Sequence, residues 1–456
     1  MLAFITLVPL ITLYGILYLT GSNLISISFF GNRLDLVYFD QLSQIMLIYI
    51  SILSFFIISY AKKNFERERN GSKWLFWFFI SLLSVQFLVM NGDLLLTVLA
   101  FISISLSFHN LLLAFPQRQK SKLAATKKFI LSRLGDLSFL LGAFFFYKSF
   151  GTFNIQDVIS HLNDLDLQTR QDLIFLPSIF IAFACLIKSA QFPFHFWLPE
   201  TIDSPTPVSA LMHAGIINAG GFILVRLRFL YEPFNLASIL ILGLGLITIF
   251  LGGISMLAQS DVKRKLAFST IGQMGFMMVE FGLGLYPMVI LHLMGHGFYK
   301  AYGFLASGSR DIVPSPKLHS KLYRTLLAGF VIIVPQVVFI ATNHLELTLV
   351  SIFIITLIGF LPLKLIKRGI LITITLVLFV ILIPEYAMKI TAIPYSTNQV
   401  PYMISLSVIL CLSILSGFTL SLPFLSENSF VQKLYCYAQR AFLSNYLSDK
   451  FIYKLF

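Results

Sequence analysis

Apolar runs of about 20 residues recur along the whole sequence, each long enough to cross a bilayer as a helix. In hydrocarbon the backbone amides find no water, so such runs are read as helices packed on one another. Only 12% of the residues are charged, against about 25% in a soluble domain, and mean hydropathy is +0.86. The predicted fold class is an all-α polytopic membrane protein. About fourteen spans are expected, at 2–20, 40–60, 74–90, 93–115, 128–148, 172–190, 207–229, 237–257, 266–284, 287–308, 324–342, 346–363, 369–388 and 402–424. The opening MLAFITLVPLITLYGILYLT has no basic start and no small-residue cleavage site. It is expected to be a first spanning helix and not a removable leader.

Net charge is +13. The positive residues gather in short loops, so the excess reads as membrane topology and not as a nucleic-acid surface. The basic loops are 61–73, 116–127 (Arg118, Lys120, Lys122, Lys127), 258–265, 309–323 and 364–368; those between them are short or acidic. This alternation places both termini in the cytoplasm of a protein of the cell inner (plasma) membrane. Segment 149–171 is too polar to span and is expected to form a short interfacial helix on the outer side. The tail 425–456 is expected on the inner surface or against a partner. Cys185, Cys411 and Cys436 have neither metal nor redox spacing.

Ionisable residues inside apolar runs are costly, and they tend to face protein or a wet cavity. Arg133 and Asp136 are three apart on one helix face, as a fold-stabilising pair or as part of a pathway. Lys188 ends its span at Gln191-Phe192-Pro193, and Pro199, Pro205 and Pro207 break the chain beyond it. Snorkelling to the interface is the alternative role for that lysine. His213 lies early in the next span, as a proton carrier or as a satisfied core histidine. The tenth span holds His292, His296 and Lys300 at i, i+4 and i+8, three titratable groups stepped through about 12 Å. This row reads as a proton relay, with metal binding or a structural row as alternatives. Glu280 in the preceding span is an exit group or an interfacial acid. No phosphate loop, nucleophile elbow or CxxC site is recognisable. The chain is therefore expected to be no enzyme, to hold no cofactor or metal, and to draw energy from an ion gradient or a partner.

KSAQFPFHFWLPETIDSPTPVSALMHAG, SDVKRKLAFSTIGQMGF and LHLMGHGFYKAYGFLASG resemble the antiporter-like proton-pumping subunits of respiratory complex I and of Mrp cation/proton antiporters. The resemblance covers roughly residues 85–310. It implies two inverted five-helix repeats, each with a broken helix, ion sites near the midplane, and Pro335 at the second break. The division it suggests is 1–73 for N-terminal helices, 74–230 and 231–363 for the repeats, and 364–456 for C-terminal helices and tail. By motif Lys188 is the central lysine, Asp136 its nearby acid, His213 the bridging histidine, and His292, His296 and Lys300 the second-half relay. The family glutamate that pairs with the central lysine is replaced by Ala100-Phe101-Ile102, which leaves Asp136 as the acid to pair with Lys188.

In detail, WLPETIDSPTPVSALMHAGIINAGGF in so short a chain is most similar to the membrane subunits of two-component inorganic-carbon accumulation systems. That resemblance implies a subunit passing a cation, H+ by expectation and Na+ as the alternative. A large zinc-containing DabA-like partner on the cytoplasmic side would do the carbon chemistry. The competing functions are a proton-pumping subunit of NADH:quinone oxidoreductase and a Mrp-type Na+/H+ antiporter subunit.

Overall fold

The computed structural model describes residues 24–29, 32–65, 71–113, 119–307, 401–421 and 428–439, with isolated positions between 329 and 400 and at 442. The expected spans at 2–20, 346–363 and 369–388 lie outside these residues wholly or in large part. The described chain begins with a hairpin that the hydropathy reading passes over. Strand β1 (Leu24–Phe29) pairs antiparallel with β2 (Asn32–Tyr38), with a register shift between Ile25 and Ser26. The alternation Arg33-Leu34-Asp35-Leu36 is the period-two pattern of a strand.

Helices α1 (Gln41–Phe65), α2 (Gly71–Met90), α3 (Leu94–Leu112) and α4 (Gln119–Phe150) follow. Asp93 caps α3 by accepting from the amides of Leu95 and Leu96. Helix α4 starts earlier than expected, so Lys120, Lys122 and Lys127 are helical and not loop residues. Lys127 is fully buried in an ion pair with Glu200, a contact that overrides its reading as a topological charge. The short helix expected in 149–171 is α5 (Ile155–Asn163), capped by Asn154, with Ile155, Val158 and Leu162 buried on one face. Asp166 then caps α6 (Leu167–Lys188).

Beyond α6 the chain winds through a 3-10 turn (Pro199–Asp203) into α7 (Thr206–Ala214), a 3-10 step (Ile216–Asn218) and α8 (Ala219–Arg226). Helices α9 (Leu236–Ala258), α10 (Val262–Gly282) and α11 (Tyr286–Ala306) complete the central group. Helices α12 (Tyr402–Ser421) and α13 (Ser429–Gln439) lie beyond the sparsely described region. Pro335 is buried within helical residues 332–340, and those described residues show no break.

Eight stretches among the described residues are long and apolar enough to cross a membrane: α1, α2, α3, α4, α6, α7 with α8, α9 and α12. The stretch formed by α7 and α8 is 94% buried, which makes it the centre of the bundle. Helices α9 and α10 touch backbone to backbone. A Cβ on Gly245 would stand 2.9 Å from the Gly275 carbonyl, and one on Gly252 would stand 2.8 Å from the Gly272 amide. Small residues bring helices this close where van der Waals packing must replace a hydrophobic drive.

Candidate functional site

Helix α6 ends on Lys188. The Gln191 amide donates to the Leu186 carbonyl at 3.0 Å and the Ala190 amide to Ile187 at 3.2 Å. Ala190 holds φ at 49°, so the turn is a Schellman closure with alanine where glycine is usual. Lys188 is thereby the last helical residue, at the negative end of the helix dipole. Its ammonium donates to the Phe101 carbonyl at 3.2 Å and to Ser105 Oγ at 2.9 Å, and sits 4.1 Å from the centre of the Phe101 ring. Phe101, one of the three residues that stand where the family glutamate is expected, thus receives the lysine through its ring and carbonyl. A desolvated cation over an aromatic face gains about 2 kcal/mol, which offsets part of the missing ion pair.

Asp136 is the acid whose charge acts most on Lys188, but it makes no direct ion pair with it. Its carboxylate meets Arg133 at 2.6 Å along α4, and no ion pair with Lys188 forms among the described residues. A cavity of about 20 Å³, large enough for one water molecule, lies beside the lysine. Phe101, Ser105, Lys128, Lys188, Trp197 and Ile216 line it, so it reaches from α3 to the step between α7 and α8. Gly220 lets α8 close over this end of α6, because a Cβ there would stand 2.6 Å from the Cys185 carbonyl.

His213 is buried on α7, with its ring stacked on Phe304 at 4.3 Å and Nδ1 3.1 Å from Thr270 Oγ1. The Thr270 hydroxyl donates to the Leu266 carbonyl at 3.1 Å. With its one proton so used, it accepts from His213, which sets the Nδ1–H tautomer. Lys300, fully buried, donates to the same Leu266 carbonyl at 3.0 Å. Lys300 and His213 are therefore joined through two atoms of α10. Further along α11, His296 is buried with Nε2 unbonded, and its ring centre is 6.3 Å from that of His292. His292 meets Glu280 Oε2 at 3.0 Å through Nδ1 and Gln273 Oε1 at 2.7 Å through Nε2. Glu280 is thus buried and paired with the first histidine of the row.

The row on α11 faces a matching row on α10. Leu266, Thr270, Gln273 and Glu280 stand at spacings of 4, 3 and 7, the pattern of one helix face. That pattern is visible in LAFSTIGQMGFMMVE, but Thr270 and Gln273 carry no charge to single them out. Among the described residues no cluster of His, Cys, Asp and Glu is placed to hold a metal ion.

A second buried charge has no counterpart in the sequence reading. Arg226, the last residue of α8, meets Asp40 at 2.6 Å and donates to Ser43 Oγ at 2.5 Å and to the Val89 carbonyl at 3.1 Å. It ties the broken helix to the start of α1 and the end of α2. Tyr49 on α1 makes a second tie, donating to the Ala214 carbonyl at 3.0 Å.

The family described as NADH:quinone oxidoreductase/Mrp antiporter, transmembrane, matches residues 91–334, more than half of the chain. A probable inorganic carbon transporter subunit DabB of Hydrogenovibrio crunogenus is 37% identical over 274 residues, 59% of this chain and 52% of that protein. A probable subunit DabB1 of Halothiobacillus neapolitanus is 35% identical over 305 residues, 64% of this chain and 54% of that one. The chloroplastic NAD(P)H-quinone oxidoreductase subunit 5 of Aethionema grandiflorum is 34% identical over 275 residues, 60% of this chain and 37% of that protein. The chain spans about half the length, or less, of these curated relatives. Two solved structures share the fold. A chain of an archaeal membrane-bound sulfane sulfur reductase aligns with TM-score 0.59 and 20% identity over 97% of this chain and 93% of its own. A chain of the Mrp complex from Dietzia sp. aligns with TM-score 0.57 and 18% identity over 97% of this chain and 48% of its own.

Proposed function

The chain belongs to the NADH:quinone oxidoreductase/Mrp antiporter membrane family, and on that premise we propose that it is the cation-conducting membrane subunit of an inorganic-carbon accumulation complex. The cation is H+. A large zinc-containing DabA-like partner on the cytoplasmic side traps CO2 as bicarbonate while this subunit lets the ion run down its gradient. The protein sits in the cell inner membrane with both termini in the cytoplasm, as the alternating basic loops suggest.

The observation that carries the reading is the pair of buried lysines, Lys188 and Lys300, each bonded to neutral oxygens and not to a carboxylate. A buried ammonium with no carboxylate in direct contact is costly to keep charged, so its proton is available to be passed on. His213 reaches Lys300 through the Thr270 hydroxyl and the Leu266 carbonyl, and His296 and His292 continue along the same helix face to Glu280 on α10. Arg133 and Asp136 flank the first lysine. The DabB relatives favour carbon accumulation as the coupled process. Similarity to a quinone oxidoreductase subunit supports redox-driven pumping as the second reading.

The test is carbon uptake in a high-CO2-requiring strain carrying this chain and its neighbouring genes, with and without a protonophore. Uptake that the protonophore abolishes, and that Lys188→Ala and Lys300→Ala each abolish while still inserting, is the expected result. Full uptake in both variants sinks the reading. Recovery of quinone-reductase subunits and no large zinc protein in a pull-down moves the assignment to the second one.

A further inference from the structure

Lys128 has no part in the reading so far, yet it is buried one turn into the apolar part of α4 and opens onto the cavity beside Lys188. Its ammonium donates to the Ser105 carbonyl at 2.6 Å and lies 5.1 Å from the Phe108 ring centre. Lys188 donates to the hydroxyl of the same serine at 2.9 Å. Ser105 therefore receives two lysines, one on its backbone and one on its side chain.

The other charged and titratable groups around the pair are few. On α4, Asp136 pairs with Arg133 at 2.6 Å, and it also faces Ser105 and attracts both lysines without touching either. On α3, the His109 ring packs against Phe129 at 4.6 Å. Lys127, next in sequence, points to Glu200 at 2.6 Å, and that glutamate keeps 16% of its side chain exposed. No described carboxylate forms an ion pair with Lys128 or Lys188. Two positive charges set against one neutral residue repel each other, and one proton held between them relieves the repulsion.

We infer that Lys128 is the proton donor to Lys188, and that Ser105 holds the two amines on one shared water site. The step rests on the proposed conducting function. An Nζ–H of charged Lys128 passes its proton to a water in the cavity, and that water passes one to neutral Lys188. Lys128 is left as the neutral amine and Lys188 as the ammonium. Neutral Lys128 is then reprotonated from the side of Glu200, the partly exposed acid that the 3-10 turn brings to the neighbouring Lys127. The cavity of about 20 Å³ accommodates the single water that the step needs.

The experiment measures proton entry into proteoliposomes holding the whole complex, with a trapped pH dye and a potassium–valinomycin potential. Lys128→Arg keeps a positive charge and a donor to Ser105, but a guanidinium does not release its proton. It is expected to lower flux by about 100-fold, the lower end of what a positioned proton-transfer group contributes. Lys128→Met removes the charge at similar volume from a buried position and is expected to lower flux as much, with the inserted amount measured alongside. Wild-type flux in either variant overturns the inference. Lys188→Ala in the same assay separates the two levels. If it too conducts normally, the buried-lysine pathway on which the proposed function rests fails; if it is silent while Lys128→Met conducts, only the donor role fails.

Discussion

His213 Nδ1 and Thr270 Oγ1 meet at 3.1 Å across the contact between α7 and α10. The hydroxyl also donates to the carbonyl that receives Lys300, so one threonine links the central histidine to the second buried lysine. Thr270→Val keeps the shape and removes the link. It leaves a buried ring nitrogen without an acceptor, at about 1–3 kcal/mol. We expect proton flux into proteoliposomes to fall by about 100-fold, the lower end of what a positioned proton-transfer group contributes, with little change in the amount inserted. Unchanged flux would mean that the second half works without this contact.

Arg226 anchors the broken helix through Asp40, Ser43 and Val89. Arg226→Ala removes one partner of a buried pair, a change that costs about 3–5 kcal/mol. Asp40 is the more exposed partner, so Asp40→Asn is expected to cost less. Thermal unfolding in detergent should rank the variants wild type, Asp40→Asn, Arg226→Ala. The reverse order would assign the stability to Asp40 and not to the arginine's three acceptors.

At the end of α6 two small residues have opposite requirements. A methyl on Gly220 would press on the Cys185 carbonyl and the Ser189 hydroxyl, so Gly220→Ala should destabilise by about 1–3 kcal/mol. Ala190 stands at φ 49°, where an L side chain costs roughly 1–2 kcal/mol. Ala190→Gly should therefore raise the unfolding temperature slightly and leave flux intact. A gain in stability with loss of flux would tie conduction to strain at this turn.

The cap of α3 gives a pH dependence. Burial pushes the Asp93 carboxyl above its ordinary value, and the Leu95 and Leu96 amides offset this only in part. A carboxyl raised by folding contributes stability that is full below the unfolded value and is lost as pH rises through the folded one. Asp93→Asn keeps the accepting oxygen without the charge. It should melt higher than the wild type at neutral pH, and the gain should shrink as pH falls toward the ordinary value of 3.8. A gain that does not vary with pH would assign the effect to packing.

The helical class, the broken segment after Lys188 and the α11 row were legible because each has a local signature. Hydrophobic length marks a span, proline marks the break, and four-residue spacing marks the row. Lys128 has no local signature because it stands at the first position of an expected span, where a lysine reads as an interfacial charge; its contact with Ser105 is 23 residues away. Arg226 looked like the end of a span, and its partner Asp40 is 186 residues distant. The missing glutamate was seen, but its replacement by the face and carbonyl of Phe101 requires the placement of α3 against α6. Of about fourteen crossings expected, the described residues show eight apolar stretches long enough to span, with the polar helices α10 and α11 beside them.

Those two polar helices bear on how the chain is made. Each is long enough to span but too polar to count among the eight apolar stretches, and between them they hold Glu280, His292, His296 and Lys300. A lone charged residue at bilayer depth costs about 2.5–3.5 kcal/mol during insertion. During synthesis, α10 and α11 would therefore leave the translocon together, against α7 to α9 already in place. On this view the residues that would later carry ions also dictate the order of biogenesis, and a nascent chain cut after α10 should fail to integrate that helix.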